Sequence, residues 1–396
     1  MRGTRAERLE RPWHPPEQLA QALVERWGAE GLIWLDGDGT ALGRWAVLAV
    51  DPLEWVCRRG LPGEPGSSDP FSALDGLGEG HWTGWLSYEA GAWVEPAPHW
   101  KADRMASLWI ARHDPLLRFD LVARRLWIEG MDPRRLAAMA DWLDRLPPAG
   151  ASSSSEPAIG AGPIRIAPEA WRWQTDPTRF AAGVEQLRGL IAAGDLFQAN
   201  LTACSSADLP PGSPQGAAAA LPLFERLRHG CPAPFAGLVI GADTAAGEAV
   251  ISASPERFLQ VNPDGQVETR PIKGTRPRDR DGERDAGLAA ELVCSAKDRA
   301  ENVMIVDLLR NDLGRVCRPG SIRVPQLVGL ESYSSVHHLT SVVTGDLRPE
   351  HTWVNLLRAC WPGGSIRCAP KLRACQRIAE LEPLPRGPYC GSLLRR

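Results

Sequence analysis

The chain has 396 residues, with 45 Lys plus Arg against 48 Asp plus Glu, a net charge of −3 and a pI near 6.3. That length allows two or three domains, and the charge balance excludes a broad basic surface for nucleic acid. No apolar run approaches the roughly 18 residues of a membrane span, and residues 1–16 are Arg-rich and Pro-broken without the apolar stretch of a secretory signal, so a cytoplasmic protein with no membrane partner is expected.

Fourteen of the 16 Trp precede residue 174, so the two halves differ in composition. The first half reads as short strands at 31–35, 45–50, 81–88 and 126–128, separated by Gly, Pro and Asp turns, with a short amphipathic helix at 136–146. Its Trp residues are interleaved with aliphatics and acids. That pattern favours core packing over a base-stacking surface, which would interleave them with Arg. Residues 147–163, rich in Pro, Ala, Gly and Ser, have the composition of a linker. They divide an N-terminal region (1–146) from a second region (164–396).

In the second region, Asp176 and Thr178 can cap a helix closed near Gly194. Phe197-Gln-Ala-Asn-Leu-Thr202 is strand-like. Strands are expected at 235–240 and 249–261, then one long helix from about 284 to 313. A strand pair, a helix at 352–360, a Gly-rich turn and a helix from Pro370 complete the chain. Strands and helices mix without a βαβ rhythm, which predicts an α+β fold and not a doubly wound sheet.

Lysine is scarce: Lys101, Lys273, Lys297 and Lys371 stand among 41 Arg. Arg cannot become a nucleophile, whereas Lys can once its pKa is lowered. Lys273 lies where an alternating strand meets the turn signal Pro271…Gly274. Gly274 lets backbone approach a ligand, and Thr275 adds a hydroxyl. Composition alone favours a few Lys left on solvated faces, and it is the surroundings of Lys273 that turn the reading. Asp298 and Glu301 are one helical turn apart and share a face. Such a pair suits Mg²⁺, although on spacing alone a solvated face is the commoner reading. Pro362-Gly-Gly-Ser-Ile366 before a helix could be an anion-binding turn, but it lacks the Gly-Lys-Ser/Thr of a Walker loop. His337 and His338 fall in one strand and alternate between its faces. The nine cysteines form no CxxC pair, and Cys360, Cys368, Cys375 and Cys390 read as reduced structural thiols before a metal cluster. The Gly-x-Cys-x-Gly elbow of glutaminases is absent, since Pro388-Tyr-Cys-Gly-Ser392 lacks the first Gly.

Taken together, Gly194-Asp-Leu-Phe-Gln-Ala-Asn-Leu201, Ser254-Pro-Glu-Arg-Phe258, Arg270-Pro-Ile-Lys-Gly-Thr275, Ser295-Ala-Lys-Asp-Arg-Ala-Glu-Asn302, Arg310-Asn-Asp-Leu-Gly-Arg315, Val336-His-His-Leu339, Pro362-Gly-Gly-Ser-Ile366, Ala369-Pro-Lys371 and Gly387-Pro-Tyr-Cys-Gly391 resemble the chorismate-utilising enzymes. The resemblance is densest over 175–392; before it, Gly84-Trp-Leu-Ser-Tyr88 is the chief match. Lys at 273 with Gln at 198 resembles the branch that makes 4-amino-4-deoxychorismate. Anthranilate synthases usually carry Ala at the first position, and isochorismate and salicylate synthases carry a water-activating Lys near the second.

The resemblance implies an antiparallel β-sandwich in two regions flanked by helices. It implies that Lys273 attacks C2 of chorismate, that Glu256 is the acid/base, and that His338 orients substrate while His337 is structural. Gly274, Thr275 and Tyr389 would contact chorismate. Glu301 would bind Mg²⁺, and Pro234, Phe235 and Ala236 match a segment lining a tryptophan pocket in relatives. Ammonia would come from a separate glutamine amidotransferase subunit. The alternatives are anthranilate synthase component I, or a relative without catalysis. The latter rests on the C-terminal segment of relatives, which supplies sheet strands, an arginine and a second Mg²⁺ glutamate and is not found before Arg396. Arg367-Cys368 also departs from the family's small residue and Gly.

Overall fold

A computed structural model describes residues 6–147, 164–242, 247–333, 335–364 and 370–396. The first half runs β1 (Glu7–Arg11), α1 (Pro16–Trp27), β2 (Ile33–Asp36), β3 (Trp45–Ala49), β4 (Glu54–Arg58), α2 (Pro70–Asp75), β5 (His81–Leu86), α3 (Gly91–Val94), β6 (Leu108–His113), β7 (Leu116–Asp120), β8 (Arg125–Gly130) and α4 (Pro133–Leu143). The second half begins with β9 (Arg172–Trp173), α5 (Pro177–Ala192), β10 (Ser205–Ser206), α6 (Ala217–Gly230), β11 (Phe235–Ile240), β12 (Ala249–Ser254) and β13 (Gln260–Val261). It continues with β14 (Gln266–Thr269), β15 (Ile272–Pro277), α7 (Gly282–Cys294), α8 (Ala296–Gly314), β16 (Arg323–Ser332), β17 (Val336–Asp346), α9 (Trp353–Cys360), α10 (Lys371–Leu381) and β18 (Ser392–Arg395). The linker at 147–163 lies outside the described residues from 148 onward, as do residues 365–369 of the Gly-rich turn.

The α+β class holds. A seven-stranded antiparallel sheet, in the order β1-β8-β7-β3-β2-β11-β12, packs through one face on α1, α4 and α6 around Leu23, Trp34, Phe119 and Phe224. Its other face meets the sheet β18-β5-β6-β4 around Ile33, Val47, Trp85 and Trp109. Trp85 and Trp109 stack at 5.3 Å in that seam. Trp34, Trp82, Trp85, Trp109 and Trp361 are fully buried, and each removes roughly 200 Å² from water, on the order of 5 kcal/mol at 25 cal/mol/Å². The aromatic wealth of the first half is therefore chiefly core.

The two halves share both sheets. β11 pairs with β2, with Ala236 opposite Asp36, and β18 pairs with β5, with Leu393 opposite Trp85. A third sheet belongs to the second half alone. There β17 is central, flanked on one edge by β14 and then β15, and on the other by β16. Helices α7 and α8 cover one face of it.

Local chemistry explains the boundaries. Asp176 accepts the Arg179 amide and Pro177 occupies the first turn, while Gly194 at φ +79° ends the helical segment. Thr352 and Asn355 form a reciprocal capping box at the start of α9.

Three expectations are corrected. The helix expected over 284–313 is two helices, because Ser295 leaves helical geometry (φ −64°, ψ 104°) and its hydroxyl accepts the Asp298 amide at 3.2 Å, capping α8. Phe197–Thr202 is no strand: Phe197 is 72% exposed, and side chains satisfy the backbone, with Thr202 N donating to Glu382 and the Arg386 guanidinium donating to Asn200 O. The strand expected over 249–261 breaks after Ser254 at Pro255, which has no N–H for the ladder.

Candidate active site

The site forms where β15 crosses β17 beneath the start of α8. Ile272 lies opposite Thr340 and Thr275 opposite His338, so Lys273 and Gly274 together face one residue, Leu339. This β-bulge re-aims the side chain it carries. Gly274 makes the bulge possible twice over. Its φ is +87°, and a Cβ there would stand 2.8 Å from Asp298 Cβ and 3.0 Å from Leu292 Cδ1. α8 therefore rests directly on the backbone next to Lys273, which is half-buried.

His337 and His338 separate as alternation predicts. His337 turns toward α7, with Nε2 at 3.0 Å from Asp285 and Nδ1 at 2.8 Å from the Ser332 hydroxyl. His338 has Nδ1 at 2.9 Å from Thr275 Oγ1. Both are buried. Burial lowers the His338 pKa, opposed by a hydrogen bond to the Gly274 carbonyl and by the Glu331 carboxylate.

Asp298 stands on the first turn of α8, against the bulge, and Glu301 follows three residues further along the helix. Arg276 ties Asp298 (3.4 Å) to Glu291 of α7 (2.8 Å), and Lys297 approaches Glu301 at 3.8 Å. Among the described residues no three His, Cys, Asp or Glu side chains gather as a metal cage. Two carboxylates one turn apart still fit Mg²⁺, which takes one or two protein carboxylates and fills its remaining positions with water and substrate oxygens.

Glu256 lies in the break between β12 and β13, where its amide donates to Ser254 Oγ at 3.3 Å. Arg257 beside it pairs with Glu268, and its guanidinium lies 5.9 Å from the Phe235 ring. Phe235 and Ala236 begin β11 directly after Pro234, and Ala236 lines a cavity of about 580 Å³ with Asp36, Trp13 and Arg228. Gln198 sits in the irregular segment before Thr202, and its buried Oε1 has no hydrogen-bond partner among the described residues.

Tyr389 lies on a separate turn, grouped with Arg386 (5.8 Å) and not with Lys273. That turn docks on the first half: Glu89 accepts the Arg386 and Gly387 amides, and the buried Arg386 pairs with Glu382 at 2.6 Å. The structure thus brings together Gly274, Thr275, His338 and Asp298 around the bulge that carries Lys273; Glu301 follows further along α8, and Glu256 and Tyr389 stand on other segments.

Sequence reasoning did not find Glu331 and Tyr333. Arg270 pairs with Glu331 at 2.5 Å and the Tyr333 hydroxyl donates to it at 2.8 Å. The signal was present. Once 336–343 is read as a strand folding back on its predecessor, hairpin register puts Glu331 opposite His338.

A family profile described as chorismate binding enzyme matches residues 49–395. Component 1 of aminodeoxychorismate synthase from Salmonella typhimurium is 44% identical over 223 residues, 56% of this chain and 46% of that protein. An anthranilate synthase component I-like protein from Synechocystis is 32% identical over 96% of this chain and 80% of its own length. Among solved structures, anthranilate synthase component I from Streptococcus pneumoniae superposes with a TM-score of 0.67 at 26% identity, covering 88% of this chain and 79% of that one. The chain spans about half the length of curated relatives such as the Salmonella protein.

Proposed function

The chain belongs to the chorismate binding enzymes, and on that premise we propose that it converts chorismate and ammonia to 4-amino-4-deoxychorismate, a precursor of 4-aminobenzoate and folate. The observation that carries this reading is Lys273 on the β-bulge, beside Gly274 and the Thr275–His338 pair. A catalyst that only positioned ammonia would have no use for an amine there.

In this mechanism the lone pair of the Lys273 amine attacks C2 of chorismate. The ring double bonds shift and the C4 hydroxyl leaves as water, taking a proton from Glu256. Ammonia then bonds to C4, the double bonds shift back, and the lysine is expelled from C2. Dividing one hard displacement into two easier ones is what a covalent nucleophile contributes. Thr275 and His338 hold the ring, and Gly274 lets it approach the backbone. Tyr389 borders the substrate from its own turn. Asp298 and Glu301 would hold Mg²⁺, which supplies positive charge for a substrate carboxylate. Ammonia is delivered by a separate glutamine amidotransferase subunit. Tryptophan would bind at the segment of Pro234, Phe235 and Ala236, of which Ala236 lines the cavity beside Asp36.

The test is a product assay with chorismate, Mg²⁺ and ammonium, read by chromatography and mass. Aminodeoxychorismate is expected. Anthranilate with pyruvate would transfer the chain to the anthranilate synthases, a reading favoured by a 36% identical anthranilate synthase component 1 from Streptomyces coelicolor. No turnover by a folded protein would overturn both.

A further inference from the structure

Three side chains stand in a row across the third sheet. Thr275 on β15 and Glu331 on β16 each lie opposite His338 on the central β17. Directly opposed residues project from the same face, so the imidazole is flanked on both sides. On one side Thr275 Oγ1 is 2.9 Å from Nδ1. On the other, the Tyr333 ring packs against the imidazole at 5.7 Å between centroids, inclined by 60°.

Glu331 anchors that second side. Its Oε1 receives Arg270 at 2.5 Å and Gln326 Nε2 at 3.2 Å, and its Oε2 receives the Tyr333 hydroxyl at 2.8 Å. Both carboxylate oxygens are engaged, so the side chain has one orientation. We propose that Glu331 is the positioning residue of His338: opposite the ring in the sheet register and bonded to Tyr333, it fixes the plane of the imidazole facing the substrate. This rests on the reading of His338 as a substrate-orienting residue.

The charged and titratable groups around the ring define what the effect must be. β15 presents Thr275 and the Gly274 carbonyl, and β16 presents Glu331 and Tyr333. Behind them stand Arg270 and Glu268, and Asp38 from the loop after β2 reaches Tyr333 electrostatically. Glu331 raises the His338 proton affinity against the burial that lowers it. Removing the charge removes that support.

The test is Glu331→Gln in the full chain, followed by NMR titration of ¹³C-labelled histidine and by the pH profile of turnover. His338 is expected to titrate at lower pH than in the parent protein. kcat is expected to fall by roughly tenfold with little change in KM, because substrate contacts remain while orientation is lost. Tyr333→Phe keeps the ring and deletes the hydroxyl bond; it should shift His338 in the same direction by less, and it serves if Glu331→Gln does not fold. An unchanged His338 titration in a folded variant would overturn the proposal and reduce Glu331 to a structural ion pair. The titration needs no turnover, so it decides the matter even if the assay for aminodeoxychorismate fails.

Discussion

The Gly387 amide, near the C-terminus, donates to the carboxylate of Glu89, from the first half, at 2.9 Å, and the Arg386 amide does the same at 2.8 Å. Two backbone donors favour the ionised form, yet burial dominates and raises the Glu89 pKa to about 7. Between an ordinary carboxyl pKa and 7, the folded state holds a proton that the unfolded chain has released. Stability therefore falls as pH rises through that window and levels off above it. The difference is on the order of 3 kcal/mol. Denaturant titrations from about pH 5 to about pH 8 should show the parent protein losing stability relative to Glu89→Gln as pH rises, a difference from which the opposite contribution of His113 cancels. An identical slope in the variant would remove Glu89 as its cause.

His113 acts in the opposite direction. It is fully buried, its Nε2 lies 2.8 Å from Gly31 O, and burial lowers its pKa to about 4. Here the unfolded chain binds the proton first, so stability is complete above the ordinary histidine pKa and is lost as pH falls toward 4. The loss is about 3 kcal/mol by the same linkage. His113→Gln, measured by the same titrations, should flatten the acid side only.

Much of the architecture was legible because its signals are local. Asp176, Thr352 and Gly194 mark helix ends by their own chemistry, and strands such as 45–49 are dense in β-formers. What sequence did not give depends on partners far along the chain. The pairing of β11 with β2, which joins the halves, has no local signature. The reading supplied no helix at 16–27 or 217–230, although Leu19, Ala20 and Leu23 do recur at helical spacing. The break at Ser295 was hidden because the flanking residues are all compatible with helix, and only a cap geometry ends α7. At the site, the motifs named Lys273 and Gly274. The bulge that presents them is a relationship with β17, as is the placement of Glu331.

Gly274→Ala tests that presentation. The new methyl would sit 2.8 Å from Asp298 Cβ in a backbone conformation that L side chains resist. Strain and displacement of α8 should destabilise the protein by about 1–3 kcal/mol. Chorismate affinity, measured by calorimetry, should fall more than stability alone accounts for. A variant with parental stability and affinity would mean that β15 and α8 can separate freely.

Lys371→Met tests the packing at the C-terminal end of α8. Lys371 Nζ lies 3.0 Å from Asp312, which is 1% exposed, and donates to Cys360 O at 2.9 Å. Arg315 also reaches Asp312, at 2.7 Å, but from a half-exposed position. Removing Lys371 leaves a buried carboxylate undercompensated, and a loss of about 3 kcal/mol is expected. Adding Asp312→Leu should recover part of it, since the double variant buries no unpaired charge. Denaturation of both variants checks this; a double variant less stable than Lys371→Met would show that Asp312 holds α8 by its hydrogen bonds and not by charge pairing.

The proposed role of Lys273 as nucleophile can be tested without steady-state kinetics. If the Lys273 amine bonds to C2 as the C4 hydroxyl leaves, the protein incubated with chorismate and no ammonia should gain the mass of chorismate less one water. Peptide mapping should place that mass on the segment bearing Lys273, because Lys101, Lys297 and Lys371 lie elsewhere: Lys101 donates to backbone carbonyls of α10, Lys297 is on the exposed side of α8, and Lys371 pairs with Asp312. Lys273→Ala should abolish the adduct while leaving the Thr275–His338 pair and chorismate binding in place. Lys273→Arg should abolish it equally, since a guanidinium keeps the charge and cannot give up a proton to become a nucleophile. The Arg variant separates the two roles a cation could have there. If it retains turnover with ammonium, Lys273 acts through charge on the substrate carboxylates and the covalent step is wrong. If both variants lose adduct and product together, while calorimetry still detects chorismate, the amine is the nucleophile.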